Sequence, residues 1–346
     1  MGDSNCPQCQ NLKKELWIDK MQHHLLPVKH YHLIFTIPHE LNDLIFYNQA
    51  TLYNLLFKSS WKTIQQITGP GTTGMVSTLH SWGSNLSFHP HLHCIVPEGK
   101  LLNNKWEVSK GSSRGFYCDS KQLRTTFKQI FIVNLVKLLE EDALYINEDK
   151  QGDRIIYLRK LLRTINRKKW NVRIETPILG VKQIIEYLGR YIKRVALTNS
   201  RIQEVTASKV VLNYKQYALQ KPGKPAPIAT IDFDGPAFIQ RFTQHILPPY
   251  FQRVRYYGLY AFAAKVKKAI AYELLTNQVQ ISYTKPLKRQ LLKRMLGVDP
   301  DCCPECNVYN SMTSLDLDPT DKFYIKIIKH WHNIRVKLRR DKAFNP

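Results

Sequence analysis

Three histidines alternate with other residues in one short segment of the chain, residues 88–96. His89, His91 and His93 stand two apart, and the side chains of a β-strand alternate between its two faces. The three imidazoles would therefore share one face, at steps of roughly 6–7 Å. Imidazoles that converge in this way can bind a divalent metal ion. The alternative is that the three side chains are merely hydrogen-bonded or solvated.

A pair of tyrosines further along the chain could supply a nucleophile. Tyr187 and Tyr191 are four residues apart, which places both on one face of a helix, about one turn apart. Arg190, Lys193 and Arg194 stand beside them and could hold phosphate groups. A free tyrosine, with a pKa near ~10, is a weak nucleophile, but a divalent metal and nearby cations would favour its attack. The alternative is that the pair only packs in the core.

Attack of such a tyrosine on a phosphodiester would leave a 5′-phosphotyrosine link and a free 3′-hydroxyl. The covalent link conserves the energy of the broken bond. The strand can therefore be rejoined without ATP, and a second tyrosine permits a second cleavage before the first link is resolved.

Five of the seven cysteines fall into two clusters, Cys6 with Cys9, and Cys302 and Cys303 with Cys306. In a basic chain with no secretory signal pattern, such clusters indicate zinc in a reducing compartment rather than disulfides. A structural zinc ion needs four ligands. The first pair would therefore need two more from the second cluster. The alternative is that neither cluster binds metal.

The chain is strongly basic, with a formal net charge of +24 over 346 residues. A charge of this sign and size favours a polyanionic partner. The apolar runs are far shorter than the ~20 residues of a membrane-spanning helix, which favours nucleic acid over a membrane and predicts a cytoplasmic protein. Basic stretches at 154–169, 285–294 and 335–342 could follow a phosphate backbone or could be solvated helix faces.

The apolar patterning predicts both strands and helices, without strict alternation, which favours an α+β fold. We expect strands at 28–37, 74–79, 87–96, 171–178 and 253–260, and a hairpin at 202–217. We expect helices at 40–67, 119–144, 154–169, 181–195, 235–245 and 262–276. The histidines would then lie on a strand and the tyrosines on a helix.

Several segments together resemble the two-tyrosine HUH transposases of the insertion-sequence-91 type. The resemblance spans nearly the whole chain and is carried by residues 30–41, 81–97 and 187–194, with support from residues 238–242 and 253–258. It implies rolling-circle-like transposition of single-stranded DNA in a bacterial-type cell, with the protein at the nucleoid when bound to DNA. It also implies an antiparallel HUH-type sheet, the palm, with flanking helices and a basic helical C-terminal region.

The resemblance also implies roles for particular residues. His91 and His93 would hold Mg²⁺ or Mn²⁺, and we expect His89 as the third ligand. Tyr187 and Tyr191 match the pair of nucleophiles.

The same resemblance suggests four parts for the chain. Residues 1–22 would be the remnant of a zinc-binding module, because family members usually open with a cysteine-rich module whose last part resembles residues 6–11. Residues 23–220 would be the catalytic domain, 221–300 its basic, helical C-terminal part, and 301–346 a cysteine-containing basic tail.

Two other functions remain open at this point. A rolling-circle replication initiator or relaxase would share the chemistry and differ in the DNA that it serves. A truncated, inactive transposase would only bind DNA. No oligomeric state follows from the sequence.

Overall fold

A computed structural model of the chain describes residues 7–108, 116–147, 153–175, 196–221 and 223–280, with the isolated positions 177, 183, 184, 189, 283, 284, 286, 290 and 293. The chain divides into two compact units, residues 1–285 and 286–346. Nearly all the described residues belong to the first unit.

Five of the ten strands found in the described residues belong to one antiparallel sheet. The strands are β1 His30–Thr36, β2 Gly74–Trp82, β3 Phe88–Pro97, β4 Lys100–Leu102, β5 Lys105–Glu107, β6 Asn171–Ile174, β7 Ile202–Val205, β8 Val210–Lys215, β9 Ile228–Phe233 and β10 Val254–Gly258. The central sheet has the order β10-β2-β3-β1-β6, and each of its neighbouring pairs is antiparallel. The strands β4 and β5 form a separate hairpin.

Helices cover both faces of this central sheet. The helices are α1 Pro7–His24, α2 Asn42–Tyr47, α3 Gln49–Thr68, α4 Ser120–Glu140, α5 Arg154–Arg167, α6 Gly235–Thr243 and α7 Lys265–Thr276. Short 3₁₀ turns occur at His39–Leu41, Asn199–Arg201, Tyr217–Leu219 and Phe262–Ala264. Asp119 caps α4 by accepting from the backbone N–H of Gln122, as its place before the apolar periodicity predicts.

The larger apolar core lies between one face of the sheet and helices α3, α4 and α5. On β3 this face carries Leu92, Cys94 and Val96, all fully buried. The aromatic rings of Phe127 and Trp170 meet at a centroid distance of 5.5 Å within the same core. Burial of apolar side chains contributes roughly 25 cal/mol per Å², so this side of the sheet supplies much of the stability.

The other face of the sheet carries the histidines and is covered by a second, smaller core. Val76 of β2 and Ile95 of β3 pack there with Trp17 and Met21 of α1. The same cluster includes Tyr260, which follows β10, and Ala271 of α7. Because both faces are covered, β3 is buried over most of its length and its pairing register is fixed.

A three-stranded sheet with one helix forms a satellite of the main fold. Its order is β7-β8-β9, and α6 packs on it through Phe238 and Phe242. The cluster also holds Trp82, the last residue of β2, and Leu86 from the turn between β2 and β3, so the satellite is anchored beside the start of β3.

The α+β class and the antiparallel sheet with flanking helices are confirmed, and several boundaries differ from the sequence expectation. The helix expected over 40–67 is broken at Asn48 into α2 and α3. The polar segment after residue 100 contains the β4–β5 hairpin, and a third strand, β9, joins the hairpin expected at 202–217. The helix α1 was not expected. Among the described residues, each helix lacks the length or apolar character needed to cross a membrane.

We expect the stability of the fold to decrease in acid in part through His245. Its Nδ1 accepts from Ser81 Oγ at 3.3 Å and its Nε2 donates to the Leu86 carbonyl at 3.0 Å. Burial lowers the pKa of His245 to about 4, against about 6.5 in an unfolded chain. The unfolded state therefore binds the extra proton first as the pH falls from 6.5 towards 4, and this histidine destabilises the fold by about 1 kcal/mol per pH unit.

Urea denaturation at pH 7 and at pH 5 measures this effect. The loss of unfolding free energy between the two pH values should be smaller in His245→Gln than in the wild type. His39→Gln changes an exposed histidine and serves as the control. An unaltered pH dependence in His245→Gln would contradict the assignment.

Candidate metal centre

Three histidines from two neighbouring strands converge on the second face of the central sheet. His80 lies on β2, and His91 and His93 lie on β3. One ring nitrogen from each lies within 4.8 Å of the ring nitrogens offered by the other two. This group, His80, His91 and His93, is called the histidine triad below.

Strand register explains why the triad forms. His80 is directly opposite His91, and Thr78 is opposite His93, in the antiparallel pairing of β2 with β3. Side chains at alternate positions share a face, so all these residues point to the same side of the sheet. The ring centroids of His80 and His93 are 4.6 Å apart, and those of His91 and His93 are 5.0 Å apart.

The triad is closed on the inside and open at one edge. His80 and His93 are 2% and 6% exposed, whereas His91, nearer the start of β3, is only partly buried. A ligand could therefore approach from the side of His91, and the two buried rings would be shielded from water.

Hydrogen bonds orient two of the three rings. The Nδ1 of His91 donates to the carbonyl oxygen of His89 at 2.7 Å. The Nδ1 of His93 is 2.8 Å from Nε2 of His32, a buried residue of β1 whose ring stacks on His93. Because Nδ1 of each ring is already hydrogen-bonded, Nε2 is the nitrogen left to bind a metal ion. Metal-binding histidines are commonly oriented in this way.

The electrostatic setting favours neutral imidazoles. Burial, followed by the nearby charge of His91, lowers the pKa of His32 to about 4. Burial also lowers the pKa of His89, with a smaller effect of His39. A neutral His32 can accept a hydrogen bond from Nδ1 of His93. Neutral imidazole is also the form that binds metal.

The donor chemistry of the triad fits a divalent transition metal. The group of ligand side chains found among the described residues contains three imidazoles and no carboxylate. Imidazole nitrogen suits transition metals, whereas Mg²⁺ prefers oxygen ligands and retains much of its water. Of the two ions implied by the sequence, the triad therefore fits Mn²⁺ better than Mg²⁺.

A partly buried cation lies close to the triad. The ring of Trp82 stacks on His80 at a centroid distance of 4.7 Å, and the guanidinium of Arg253 lies 5.8 Å from the centre of the Trp82 ring. Burial lowers the pKa of Arg253 to about 10, so this side chain stays protonated at neutral pH. A fixed positive charge near a metal centre would favour binding of a phosphate.

The structure brings His91 and His93 together as the sequence predicts, but His80 takes the third position in the described group. His89, the expected third ligand, lies beyond His91, with ring centroids 5.3 Å apart. It is outside the group that meets the distance of 4.8 Å. A role for His89 as ligand stays a prediction.

Sequence reasoning missed His80, His32 and Arg253. His32 lies in the strand predicted over residues 28–37, and His80 directly follows the strand predicted over residues 74–79. Without the cross-strand register, nothing assigned them to the same place as His91 and His93.

Other expected site residues fall outside the described parts of the chain. These are Tyr187, Tyr191, Arg190, Lys193 and Arg194 of the tyrosine segment, and Cys6, Cys302, Cys303 and Cys306 of the cysteine clusters. Cys9 belongs to α1, although its side chain is outside the description.

Two described residues of the helix predicted over 181–195 lie on the histidine side of the sheet or against α1. Ile184 and Gly189 are helical and buried. Ile184 belongs to the cluster that includes Val76 and Ile95, on the same face as the triad. A Cβ at Gly189 would come within 2.7 Å of Ile18 on α1, so the backbone approaches α1 closely at that point.

A histidine cluster that could hold a metal ion, on an antiparallel sheet in a strongly basic chain, is typical of metal-dependent proteins that act on nucleic acid. The family comparison is more specific. The family model described as "Putative transposase" matches residues 74–268, more than half of the chain. The model described as "Transposase zinc-binding domain", of the insertion-sequence-91 type, matches residues 2–37. The chain belongs to the insertion-sequence-91 family of transposases.

Two curated relatives agree with this assignment. The chain is 30% identical to a "Putative transposase" of Sinorhizobium fredii, over 88% of this chain and 78% of the relative. It is 25% identical to the "Transposase for insertion sequence element IS801" of Pseudomonas savastanoi pv. phaseolicola, over 87% of this chain and 71% of the relative. No solved structure gives a significant match. Transposases act on DNA, and membership implies DNA strand transfer or endonuclease activity.

The identity of the third ligand can be tested by metal titration. We expect His80→Ala, His91→Ala and His93→Ala each to weaken Mn²⁺ binding by at least tenfold, because each removes one of three ring nitrogens. Isothermal titration calorimetry of the purified protein measures the affinity. His89→Ala is the matched variant on the same strand. If it weakens binding as much as His91→Ala while His80→Ala does not, the third ligand is His89.

Proposed function

We propose that this transposase nicks and rejoins single-stranded ends of its mobile element, with the histidine triad holding a divalent metal ion and a tyrosine acting as nucleophile. The observation that carries the proposal is the convergence of His80, His91 and His93 on one face of the sheet, in a chain of a transposase family. A bound metal would polarise the scissile phosphate and make its phosphorus easier to attack.

The residues around the triad would hold it in the geometry that this task needs. His32 fixes the ring of His93 through the bond to Nδ1, and the His89 carbonyl fixes the ring of His91. The ring of Trp82 lies between Arg253 and His80, and Arg253 would add positive charge near the bound phosphate. These partners would keep the ligands in place during the reaction.

Tyr187 and Tyr191 are the proposed nucleophiles. The phenol oxygen would attack the phosphorus and form a phosphotyrosine bond to the 5′ side. The bond from phosphorus to the 3′ oxygen would break, and the 3′ oxygen would take up a proton to leave a hydroxyl. Attack by a 3′-hydroxyl on the phosphotyrosine would reverse these steps and join the strand. Arg190, Lys193 and Arg194 would hold the phosphates and favour the phenolate.

The described neighbours of the tyrosines support this placement. Ile184 packs in the cluster on the triad's face of the sheet. On the helix that the sequence predicts over 181–195, Tyr187 is three residues beyond Ile184, and Tyr191 is seven residues beyond it, about two turns. Both would share the side of Ile184. The predicted helix would therefore turn both tyrosines towards the sheet.

The N-terminal part would carry a structural zinc site. The zinc-binding family model covers Cys6 and Cys9, and a four-ligand site needs two further donors. The second cluster, Cys302, Cys303 and Cys306, remains a separate candidate for zinc binding. We also propose the four-part division of the chain at residues 22, 220 and 300.

A covalent adduct with DNA is the direct test of the nucleophiles. Wild-type protein incubated with a single-stranded element end, labelled at its 3′ end, and with Mn²⁺ should form a denaturation-resistant adduct that carries the label, because the tyrosine retains the fragment on the 3′ side of the nick. Loss of a phenol oxygen removes the attacking atom, so the double variant Tyr187→Phe/Tyr191→Phe should form none, and one single variant should lose most of it. Tyr272→Phe, a tyrosine on α7, is the control. DNA binding without any adduct would indicate a protein that only binds.

Cleavage and affinity should separate when the metal site is removed. His91→Ala should lower the rate of nicking by at least 100-fold, because the metal is lost. It should change DNA affinity by less than about threefold, since affinity depends mainly on phosphate neutralisation. Nicking assays and fluorescence anisotropy measure the two quantities, and the wild type should be more active with Mn²⁺ than with Mg²⁺. Equal losses of nicking and affinity would contradict the metal role.

A further inference from the structure

A cavity of about 480 Å³ lies between α1 and α7. Lysines and aromatic rings line it, among them Lys20 of α1 and Lys265 and Lys268 of α7, with Phe262 and Tyr283. Its volume falls within the ~300–1,000 Å³ typical of ligand sites. None of its lining residues is acidic. This cavity is called the lysine pocket below.

Among the described residues, no carboxylate pairs with the lysines of the lysine pocket. None of the ion pairs found in the described part of the chain includes Lys20, Lys265 or Lys268. The Nζ of Lys268 lies 3.0 Å from Nδ1 of His24. Burial, and then the charges of Lys20 and Lys265, lower the pKa of Lys268. Lysines that repel one another in a cavity gain stability when an anion binds between them.

An exposed aromatic ring stands beside these lysines. Phe262 is 55% exposed, although it is a large apolar side chain. It contacts Tyr256 at a ring-centroid distance of 5.3 Å, and the Nζ of Lys20 lies 4.6 Å from its centre. Aromatic rings next to cations provide the surface on which unpaired bases stack. The long, flexible Lys20 side chain could move from the ring to a phosphate when a base arrives.

The lysine pocket is joined to the face of the sheet that bears the triad. His24 Nε2 donates to the carbonyl of Tyr260 at 2.9 Å, and the Tyr260 hydroxyl is 2.6 Å from Nε2 of His30. His30 precedes His32 by two positions on β1, so both are on the same face. His32 contacts His93 of the triad. A strand bound at the triad could therefore continue along this face to the pocket.

We propose that the lysine pocket is a nucleotide subsite for single-stranded DNA, which stacks one base on Phe262 and binds the adjoining phosphate with Lys20, Lys265 and Lys268. The inference rests on the proposed action on single-stranded DNA and adds a second anchor to it. A duplex would bind poorly, because its bases are already stacked and paired. A free phosphate would use the lysines alone and leave Phe262 without a role.

Matched variants test the stacking half of the proposal. Phe262→Ala should weaken binding of a labelled oligothymidylate about tenfold, in line with the loss of one base stack, and Phe262→Trp should restore it. Val266→Ala is the control, because Val266 is an exposed apolar residue nearby that lines a different cavity. Fluorescence anisotropy gives the affinities, and thermal melting confirms that each variant is folded. Equal effects of Phe262→Ala and Val266→Ala would overturn the subsite.

The lysine half has its own matched pair. Lys265→Gln should lower the slope of log affinity against log salt by about 0.7, the value expected for one phosphate contact on a single strand. Lys267→Gln removes the same charge two residues away, on the side of the other cavity, and should leave more of the slope intact. Identical slopes for the two variants would mean that the lysines act only through net charge and would contradict a defined phosphate position.

A crosslink locates the base directly. An oligonucleotide with 5-iodouracil, irradiated in complex with the wild-type protein, should crosslink to the peptide that contains Phe262 or to the one that contains Tyr283. Crosslinks only to other peptides would exclude the lysine pocket. Adduct formation by the wild type is a separate measurement. If the wild type forms no adduct but its affinity for the oligonucleotide depends on Phe262, the proposed cleavage is refuted and the subsite stands. If the wild type forms the adduct but its affinity does not depend on Phe262, the subsite is refuted and the proposed cleavage stands.

Discussion

The position of β3 between β1 and β2 is the constraint on which the candidate site depends. Antiparallel pairing on both sides sets His91 opposite His80 on β2 and opposite Thr36 on β1. Apolar cores on both faces hold this register, since a shift along either neighbour would move buried residues into the wrong environment. The candidate metal centre is therefore a product of sheet assembly, although two of its three histidines are near neighbours in sequence.

The two faces of the sheet have different chemical roles. One face carries leucine, phenylalanine and cysteine side chains under three helices, and this is where most of the apolar burial lies. The other carries histidines, with a thinner cover made by α1, α7 and the segment of Ile184. Burial on this second face lowers the pKa values of His24, His30 and His32 to about 4. Uncharged histidines are thus retained in a chain that is strongly basic as a whole.

Local sequence patterns predicted some parts of this arrangement and missed others for physical reasons. Alternation along residues 88–96 predicted the shared face of His91 and His93, because strand periodicity is a local property. His80 and His32 come from other strands, and which strands become neighbours is decided by tertiary packing. The helix α1 was missed because the cysteines near it suggested only a zinc module. Its contribution to the core, through Trp17 and Met21, depends on a partner surface far along the chain.

Cys94 shows what the alternation of β3 excludes. Its thiol is fully buried among apolar residues, and burial raises its pKa well above the usual value, so it stays protonated on the face opposite the triad. One inserted or deleted residue between His91 and Cys94 would reverse the facing of the residues beyond it. An insertion directly after His91 would turn the His93 imidazole into the apolar core and bring Cys94 to the face of the triad. The length of β3 between His91 and Cys94 is thus under a stricter constraint than the alternation of its residue types alone would suggest.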